Sequence, residues 1–398
     1  MGRRNKNSYH TDGAMKKYEK SEDICTHSGD EYEKYLGAVI PPIFQNSLFV
    51  QEKGKPYGSN PFIYTRLSNP TIEVAETKIA SLEKGDACRC FSSGMAAISS
   101  GIMYYLEKDS HVVAVKNVYG PTRMFLEEYL TRWGISVSFV VGDSIEDFEK
   151  AIKPNTKLIY LESPSTFIYS LQDLEGVSAL AKTNGIHTMI DNTYATPLYQ
   201  NPLLMGVEMV MHTASKYLGG HSDIVAGSLI GSQIDMDKIM NNERSLFGGN
   251  MDPHQAWLLT RGLRTLPIRL KQHGESAIKI AQFLESHSKI KRVFYPGLKS
   301  HPQQKLIHKQ MGGFCGLMSI LPKGTDQEII NFVDKLTLFQ TGCSWGGFES
   351  LVIPISVGME QETAKHLNLP TGLVRLHIGL ENTESLMTDL DQALKAIP

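Results

Sequence analysis

The stretch KLIYLESPSTFIYSLQDLEGVSALAKTNGIHTMI, residues 157–190, decides the fold. It opens on a short apolar run, Lys157–Leu161, and closes on another, His187–Ile190. Between them, residues 174–184 have helical character. A strand, a helix and a second strand in this order are the unit from which parallel sheets are built. Working outward, the unit recurs. His111–Val115 (HVVAV), Ser136–Val141 (SVSFVV), Glu208–Met211 (EMVM) and Gly227–Ile230 (GSLI) read as further strands, with helical stretches at 121–133 and 144–152. Residues 71–84 have helical apolar spacing and end at Gly85. The expectation is an α/β chain whose large domain holds a mostly parallel sheet covered on both faces. Residues 261–286 read as one long basic amphipathic helix, followed by strand-like pieces and a closing helix near 383–396. This part reads as a smaller second α/β domain. Residues 1 to about 60 look irregular, with turn signals at Pro41-Pro42 and Gly54–Gly58.

Composition narrows the function. The chain has 398 residues, 41% of them apolar, enough for a sizeable core. Forty basic and 42 acidic residues leave a net charge of −2, which argues against a nucleic-acid or membrane surface. The first twenty residues are locally basic (Arg3, Arg4, Lys6, Lys16, Lys17, Lys20), but no apolar segment follows, so they do not read as a signal peptide. No apolar run approaches the roughly 20 residues that cross a bilayer. The five cysteines, Cys25, Cys88, Cys90, Cys315 and Cys343, lack zinc-ribbon or CxxC spacing. They read as buried, reduced thiols in a cytoplasmic protein, and no metal site is expected.

In parallel sheets ligands bind beyond the carboxyl ends of the strands, so residues just past the apolar runs are the candidates for chemistry. In Phe91-Ser92-Ser93-Gly94-Met95 an apolar run ends and a helix begins. Its free N–H groups suit a phosphate, although a plain strand-to-helix turn reads the same way. Asp191 ends the run 187–190. It could hold a protonated pyridine nitrogen, or it could cap a helix. Lys216, in His212-Thr213-Ala214-Ser215-Lys216-Tyr217, follows a strand and two hydroxyl residues. That pattern suits an imine-forming lysine beside hydroxyls that hold a phosphate. His221, just beyond, reads as a structural hydrogen-bonding group. Arg375 stands inside the apolar run Gly372–Ile378 and, if buried, needs an anion: a substrate carboxylate or a structural acid.

These motifs, in this order and spacing, resemble the Cys/Met-metabolism family of pyridoxal-phosphate enzymes. That family includes the cystathionine β- and γ-lyases, cystathionine γ-synthase and methionine γ-lyase. The resemblance runs from about Thr26 to the C-terminus. It also includes Gly37–Ile43, Tyr64–Thr71, Val118–Pro121, Leu161–Pro164 and Tyr295–Leu298. It implies the aspartate-aminotransferase-like fold, fold type I of the pyridoxal-phosphate-dependent transferases. It implies an arm at 1–62 that contacts a neighbouring subunit, a cofactor domain at 63–260 and a C-terminal domain at 261–398.

The resemblance assigns pyridoxal 5′-phosphate as cofactor and Lys216 as its Schiff-base lysine. Asp191 would face the pyridine nitrogen and Tyr119 would stack on the ring. Ser93, Gly94, Met95, Thr213 and Ser215 would surround the phosphate. Tyr64 and Arg66 would reach the phosphate of a neighbouring subunit, implying a homotetramer of dimers that share active sites. Tyr64 would also border the substrate. Arg375 would clamp the substrate α-carboxylate. Glu208 and Ser215 stand where aspartate and threonine are usual, and Thr166 where many relatives have asparagine.

Cys343-Ser344-Trp345-Gly346-Gly347 resembles the Ser-Trp-Gly-Gly of bacterial cystathionine β-lyases, with Ser344 and Trp345 at the substrate. The γ-type enzymes tend to carry glutamate at the position of Cys343. Methionine γ-lyases typically have cysteine where this chain has Pro121. The expected activity is β-elimination from a small thioether amino acid, cystathionine or another cysteine S-conjugate, with Lys216 and Tyr119 as catalytic groups. Trp345, Phe167 and Phe247 are candidates for an apolar pocket around the leaving group. Two other readings stand beside it: a γ-synthase or γ-lyase type of trans-sulfuration, and a non-catalytic regulator that binds the cofactor.

Overall fold

A computed structural model describes residues 18–398; the basic residues Arg3, Arg4, Lys6, Lys16 and Lys17 lie outside the described residues. The first sheet has seven strands: β1 (Ala87–Phe91), β2 (His111–Val115), β3 (Ser136–Val140), β4 (Thr156–Glu162), β5 (His187–Asp191), β6 (Met209–His212) and β7 (Gly227–Gly231). Their order is β1-β7-β6-β5-β4-β2-β3. β3, β2, β4, β5 and β6 run parallel, whereas β7 is antiparallel to both β6 and β1. The sheet is therefore mostly parallel, and β1 points the same way as β6. The carboxyl ends of all strands but β7 share one edge, and the candidate residues cluster along it.

The central strands are buried nearly throughout (in β4 only Lys157 is exposed), which is why they read as apolar runs. Helices cover the sheet. The helix Pro70–Glu83 starts at Asn69, whose side chain accepts from Thr71 N, and Pro70 fits the first turn, where no N–H partner is needed. The run 261–286, expected as one helix, is two: Pro253–Arg264 and Leu266–Ser286. Pro267 sits in the first turn of the second. Proline lacks a donor and crowds the preceding turn, so it opens a helix rather than continuing one. The segment expected to be irregular also contains a helix, Ser21–His27, which buries Ile24 and Cys25.

The second sheet has order β10-β11-β12-β9-β8, with β8 (Ile290–Phe294), β9 (Leu317–Pro322), β10 (Gln340–Thr341), β11 (Leu351–Pro354) and β12 (Val374–His377). Each sheet has its own apolar core. A smaller cluster, including Tyr169, Tyr194, Phe294, Leu317 and Leu373, joins residues that follow β4 and β5 to the second sheet. Two buried hydrogen bonds fix the contact. Tyr194 Oη donates to the Leu317 carbonyl at 3.0 Å, and Tyr217 Oη accepts from Gly316 N at 2.8 Å. They bring β12 and the loop after β10 against the edge where β6 ends. Among the described residues, no helix is long and apolar enough to cross a membrane.

Candidate active site

β6 ends at His212, and the chain folds at once into a tight turn. Lys216 N donates to the Thr213 carbonyl, and Gly220 N to that of Lys216. The turn aims Lys216 at the loop after β10. Its Nζ donates to Ser344 Oγ at 2.8 Å and lies 5.5 Å from the centroid of the Trp345 ring. Burial, and then the charge of Arg375, lower the Lys216 pKa to about 8. The amine is therefore readily available in neutral form near neutral pH, as an attacking or proton-accepting lysine requires.

Asp191 closes β5 and is buried. Its Oδ1 accepts from Thr193 N at 2.9 Å and from the Thr193 hydroxyl. Its Oδ2 has no hydrogen-bond donor among the described residues, and no helix starts beside it, so the capping alternative fails. Beside Asp191 in the sheet register stands Glu162, the last residue of β4. Glu162 is also buried, and its Oε2 accepts from Tyr119 N at 2.7 Å. Burial, and then the nearby Asp191, push its pKa up to about 8. The pair cannot both ionise cheaply. Burial raises the Asp191 pKa too, but the two Thr193 donors and the nearby His212 and Lys216 oppose this, which favours the charge on Asp191 and the proton on Glu162.

At the end of β1, Ser93 caps the helix Gly94–Tyr105, its Oγ accepting from Ala96 N. Gly94 and Met95 are the first helical residues, so their N–H groups have no partner within the helix. A Cβ at Gly94 would lie 2.3 Å from Thr213 Oγ1. Glycine thus lets the helix start meet the turn that carries Lys216. The Thr213 hydroxyl makes no hydrogen bond among the described residues, whereas Ser215 Oγ accepts from Ala226 N at 2.8 Å and donates to the Ala226 carbonyl at 3.2 Å.

Arg375 lies on β12 and is 7% exposed. Its Nη2 donates to the carbonyls of Gly342 and Ser344, at 3.3 and 2.9 Å. No described carboxylate lies within ion-pairing distance, and its Nε has no partner. The structural-acid alternative is thereby removed. Tyr119 is 44% exposed, and burial, followed by Cys343, Asp191 and Glu162, raises its phenol pKa.

The single chain does not bring Tyr64 and Arg66 to this cluster. Arg66 Nη1 bonds Ser245, at 3.0 Å to the carbonyl and 2.7 Å to the hydroxyl, and its guanidinium lies 5.7 Å from the Tyr64 ring centroid. Phe167 and Trp345 pack on one apolar cluster, but Phe247 is 62% exposed and outside it. Cys343 corrects the expectation of five buried thiols: it is exposed, and the other four are buried and free. His221 Nδ1 bonds the Gly219 carbonyl at 2.8 Å, a structural contact as expected. Glu208 pairs with His187. The Thr166 main chain donates to the Asn117 carbonyl at 2.9 Å. A cavity of about 1170 Å³ opens elsewhere, lined by Ile168, Arg292, His301 and Lys365 among others, and none of the site residues lines it. Among the described residues, no group of three or more His, Cys, Asp or Glu could hold a metal ion.

Two residues were not singled out from the sequence. Glu162 could have been, because it ends an apolar run as Asp191 does. His377, beneath the 344–346 loop, gave no signal beyond its place beside Arg375.

A half-buried lysine of lowered pKa and a buried arginine with no described acid beside it, at the strand ends of an α/β fold, fit an enzyme class that works on amino acids through a lysine-bound carbonyl cofactor. The family of Cys/Met metabolism PLP-dependent enzymes matches residues 22–395, and the chain belongs to it. The chain is 37% identical to a cystathionine gamma-lyase of Bacillus subtilis over 95% of its length and 100% of that protein. It is 36% identical to a cystathionine beta-lyase of Lactococcus lactis subsp. cremoris, over 93% of its length and 97% of that protein. It is 38% identical to an L-methionine gamma-lyase of Fusobacterium nucleatum, again over 93% and 97%. Among solved structures, metB from Corynebacterium glutamicum superposes with a TM-score of 0.90 at 34% identity, covering 95% of this chain and 98% of that one. The fold is that of the type I pyridoxal-phosphate enzymes, and the cofactor is pyridoxal 5′-phosphate.

The residues fit that cofactor. Lys216 would supply the amine, Asp191 a carboxylate oxygen without a donor among the described residues, and the Gly94 turn free N–H groups beside the Thr213 hydroxyl.

Proposed function

We propose that this protein is a carbon–sulfur β-lyase that converts cystathionine or another cysteine S-conjugate, with water, to a thiol, pyruvate and ammonia. Asp191 would hold the pyridine nitrogen proton, Tyr119 would cover the ring, and Ser93, Gly94, Met95, Thr213 and Ser215 would hold the phosphate. Tyr64 and Arg66 would serve the site of a neighbouring subunit in a homotetramer of dimers, in the cytoplasm. Division into an arm to residue 62, a cofactor domain to 260 and a C-terminal domain accompanies this reading.

When bound, pyridoxal phosphate supplies an electron sink for the charge left as the substrate α-proton departs. Arg375 binds the α-carboxylate, the anion that its buried guanidinium lacks within the chain. Lys216 Nζ, with its lowered pKa, takes the α-proton. Asp191 keeps its charge because Thr193 donates to it twice and Glu162 takes up the neighbouring proton. Lys216 in its new ammonium form and the Tyr119 phenol, which stays protonated at neutral pH, are the groups able to protonate the leaving sulfur.

The observation that carries this reading over γ-chemistry is the seating of the loop after β10. Ser344 is on Nζ, the Trp345 ring is beside it, and Cys343, which carries no carboxylate, stands where the γ-type enzymes tend to carry glutamate. The names of the γ-lyase relatives favour a second reading, γ-elimination. A panel of cystathionine, S-alkyl cysteines and methionine, scored for pyruvate and 2-oxobutyrate, separates them. Pyruvate is expected, and dominant 2-oxobutyrate overturns the β-lyase reading. Fast formation of cystathionine from cysteine and O-succinyl- or O-acetylhomoserine would show a γ-synthase instead.

A further inference from the structure

His377 is wholly buried at the end of β12, directly under the loop that meets Lys216. Both ring nitrogens are used, and the partners fix its chemical state. Its Nδ1 faces the Glu349 carbonyl at 2.9 Å, and a carbonyl only accepts, so Nδ1 carries a proton. Its Nε2 faces Gly346 N at 2.9 Å, and an amide N–H only donates, so Nε2 carries none. The ring is therefore the neutral Nδ1–H tautomer. Its surroundings agree. Burial first, and then His273, hold the pKa well below the ordinary histidine value, with Arg375 and Lys216 adding to the effect. The rings of His273 and Tyr217 face it at 5.4 and 6.0 Å between centroids.

The two bonds tie down both ends of the Gly346–Glu349 segment. Gly346 leaves no slack on its other side. It has φ +85°, and a Cβ there would lie 2.7 Å from Tyr217 N and 2.9 Å from the Lys216 carbonyl carbon. The main chain of the loop thus rests directly on the main chain of Lys216, with His377 holding it there from below.

We infer that His377 is a positioning residue: as a neutral hydrogen-bond acceptor it pins Gly346, and thereby sets where the Ser344 hydroxyl and the Trp345 ring meet Lys216 and the substrate's leaving group. The inference rests on the reading of Lys216 as the base of the reaction. It concerns the loop's place, which can be read without turnover. Sequence marked Ser344 and Trp345 as substrate residues; the structure adds the group that keeps them in register.

The test uses cofactor-loaded enzyme in a Trp133→Phe, Trp257→Phe background, which leaves Trp345 as the sole tryptophan. His377→Phe keeps a planar ring and removes the acceptor. Trp345 emission is expected to move to the red and to become more accessible to acrylamide. kcat/KM is expected to fall about 100-fold, the scale of a displacement near 1 Å at a reacting group. His377→Gln, whose amide oxygen can accept from Gly346 N, is expected to recover most of both. A folded His377→Phe enzyme with unchanged quenching and turnover overturns the inference, as does a folded Gln variant no better than Phe. Should the Phe variant fail to fold, hydrogen exchange of residues 342–349 in the unaltered enzyme decides. A slow Gly346 amide supports the pin, and exchange as fast as an exposed loop refutes it. If the β-lyase reading fails, the products change while the Trp345 and exchange signals stand.

Discussion

Lys216 Nζ and Ser344 Oγ are 2.8 Å apart although 128 residues separate them in the chain. One follows β6 of the first sheet and the other follows β10 of the second, so the contact joins the two sheets at the amine proposed to react. Behind it stands Arg375, whose charge helps to lower the Lys216 pKa to about 8. Only the neutral amine can attack the cofactor's aldehyde. The rate at which cofactor-free protein takes up pyridoxal phosphate should therefore rise with pH, with a midpoint near 8. Arg375→Leu removes a positive neighbour and should move that midpoint upward. Absorbance-monitored uptake across a pH series measures it; a midpoint that stays put or moves down counts against the electrostatic link.

Gly346→Ala tests the close approach of the loop to the Lys216 main chain. The added methyl meets backbone atoms rather than a side chain that can swing away, and φ is +85°. The strain should cost about 1–3 kcal/mol of stability. Displacement of Ser344 and Trp345 should lower kcat/KM about 100-fold. Thermal unfolding and steady-state kinetics on the same preparation read both. Wild-type kinetics in the variant would mean that the loop does not need this contact.

Arg66 and Tyr64 lie away from Lys216 within one chain. If they complete a neighbour's site, defects in Arg66 and Lys216 reside in different halves of a shared site. Arg66→Ala and Lys216→Ala homo-oligomers should each be nearly inactive. Mixing them through unfolding and refolding should restore roughly a quarter of wild-type activity, because half the dimers then carry one intact site of two. No recovery in a verified mixed oligomer would place both residues in a single subunit's site, or in none.

Acid should unfold this protein through its buried imidazoles. His111 and His273 have pKa values lowered from 6.5 to about 4 by burial, and His377 is lowered as well. The unfolded chain binds these protons more readily, so stability is full above about pH 6.5 and is lost as the pH falls towards 4. For His273 alone, on the order of 3 kcal/mol is at stake across that window. Urea unfolding between pH 7 and 4.5 should show the decline, and His273→Gln should flatten it. An unchanged slope in that variant would remove His273 from the account.

The parallel part of the fold was legible because the central strands are buried on both faces. β2 and β4 read as apolar runs, Val112–Val115 and Leu158–Leu161 at their centres, and the helix Leu174–Thr183 between β4 and β5 carries a clear apolar face. The break at Thr265 was also written in the sequence, as Pro267, but helical periodicity on both sides masked it. Lys216, Asp191 and Arg375 were visible as polar residues ending or interrupting apolar runs. Their juxtaposition was not, because it depends on how the second sheet docks through Tyr194 and Tyr217. His377 was illegible for the same reason: its two partners, Gly346 and Glu349, are set by tertiary packing. Phe247, offered by the sequence as a pocket residue, is exposed in the single chain, as Tyr64 is.

Arg375 holds the loop through main-chain carbonyls, those of Gly342 and Ser344. Residue 343 lies between these two anchors with its side chain exposed. The hydrogen bonds of the anchor thus make no demand on that side chain, although a charge placed there acts on Arg375 and Lys216. A chain of this design can exchange the chemical character of position 343 in a single mutational step while the carboxylate clamp stays where it is. A change in the chemistry offered at position 343 then needs no rebuilding of the loop's main chain.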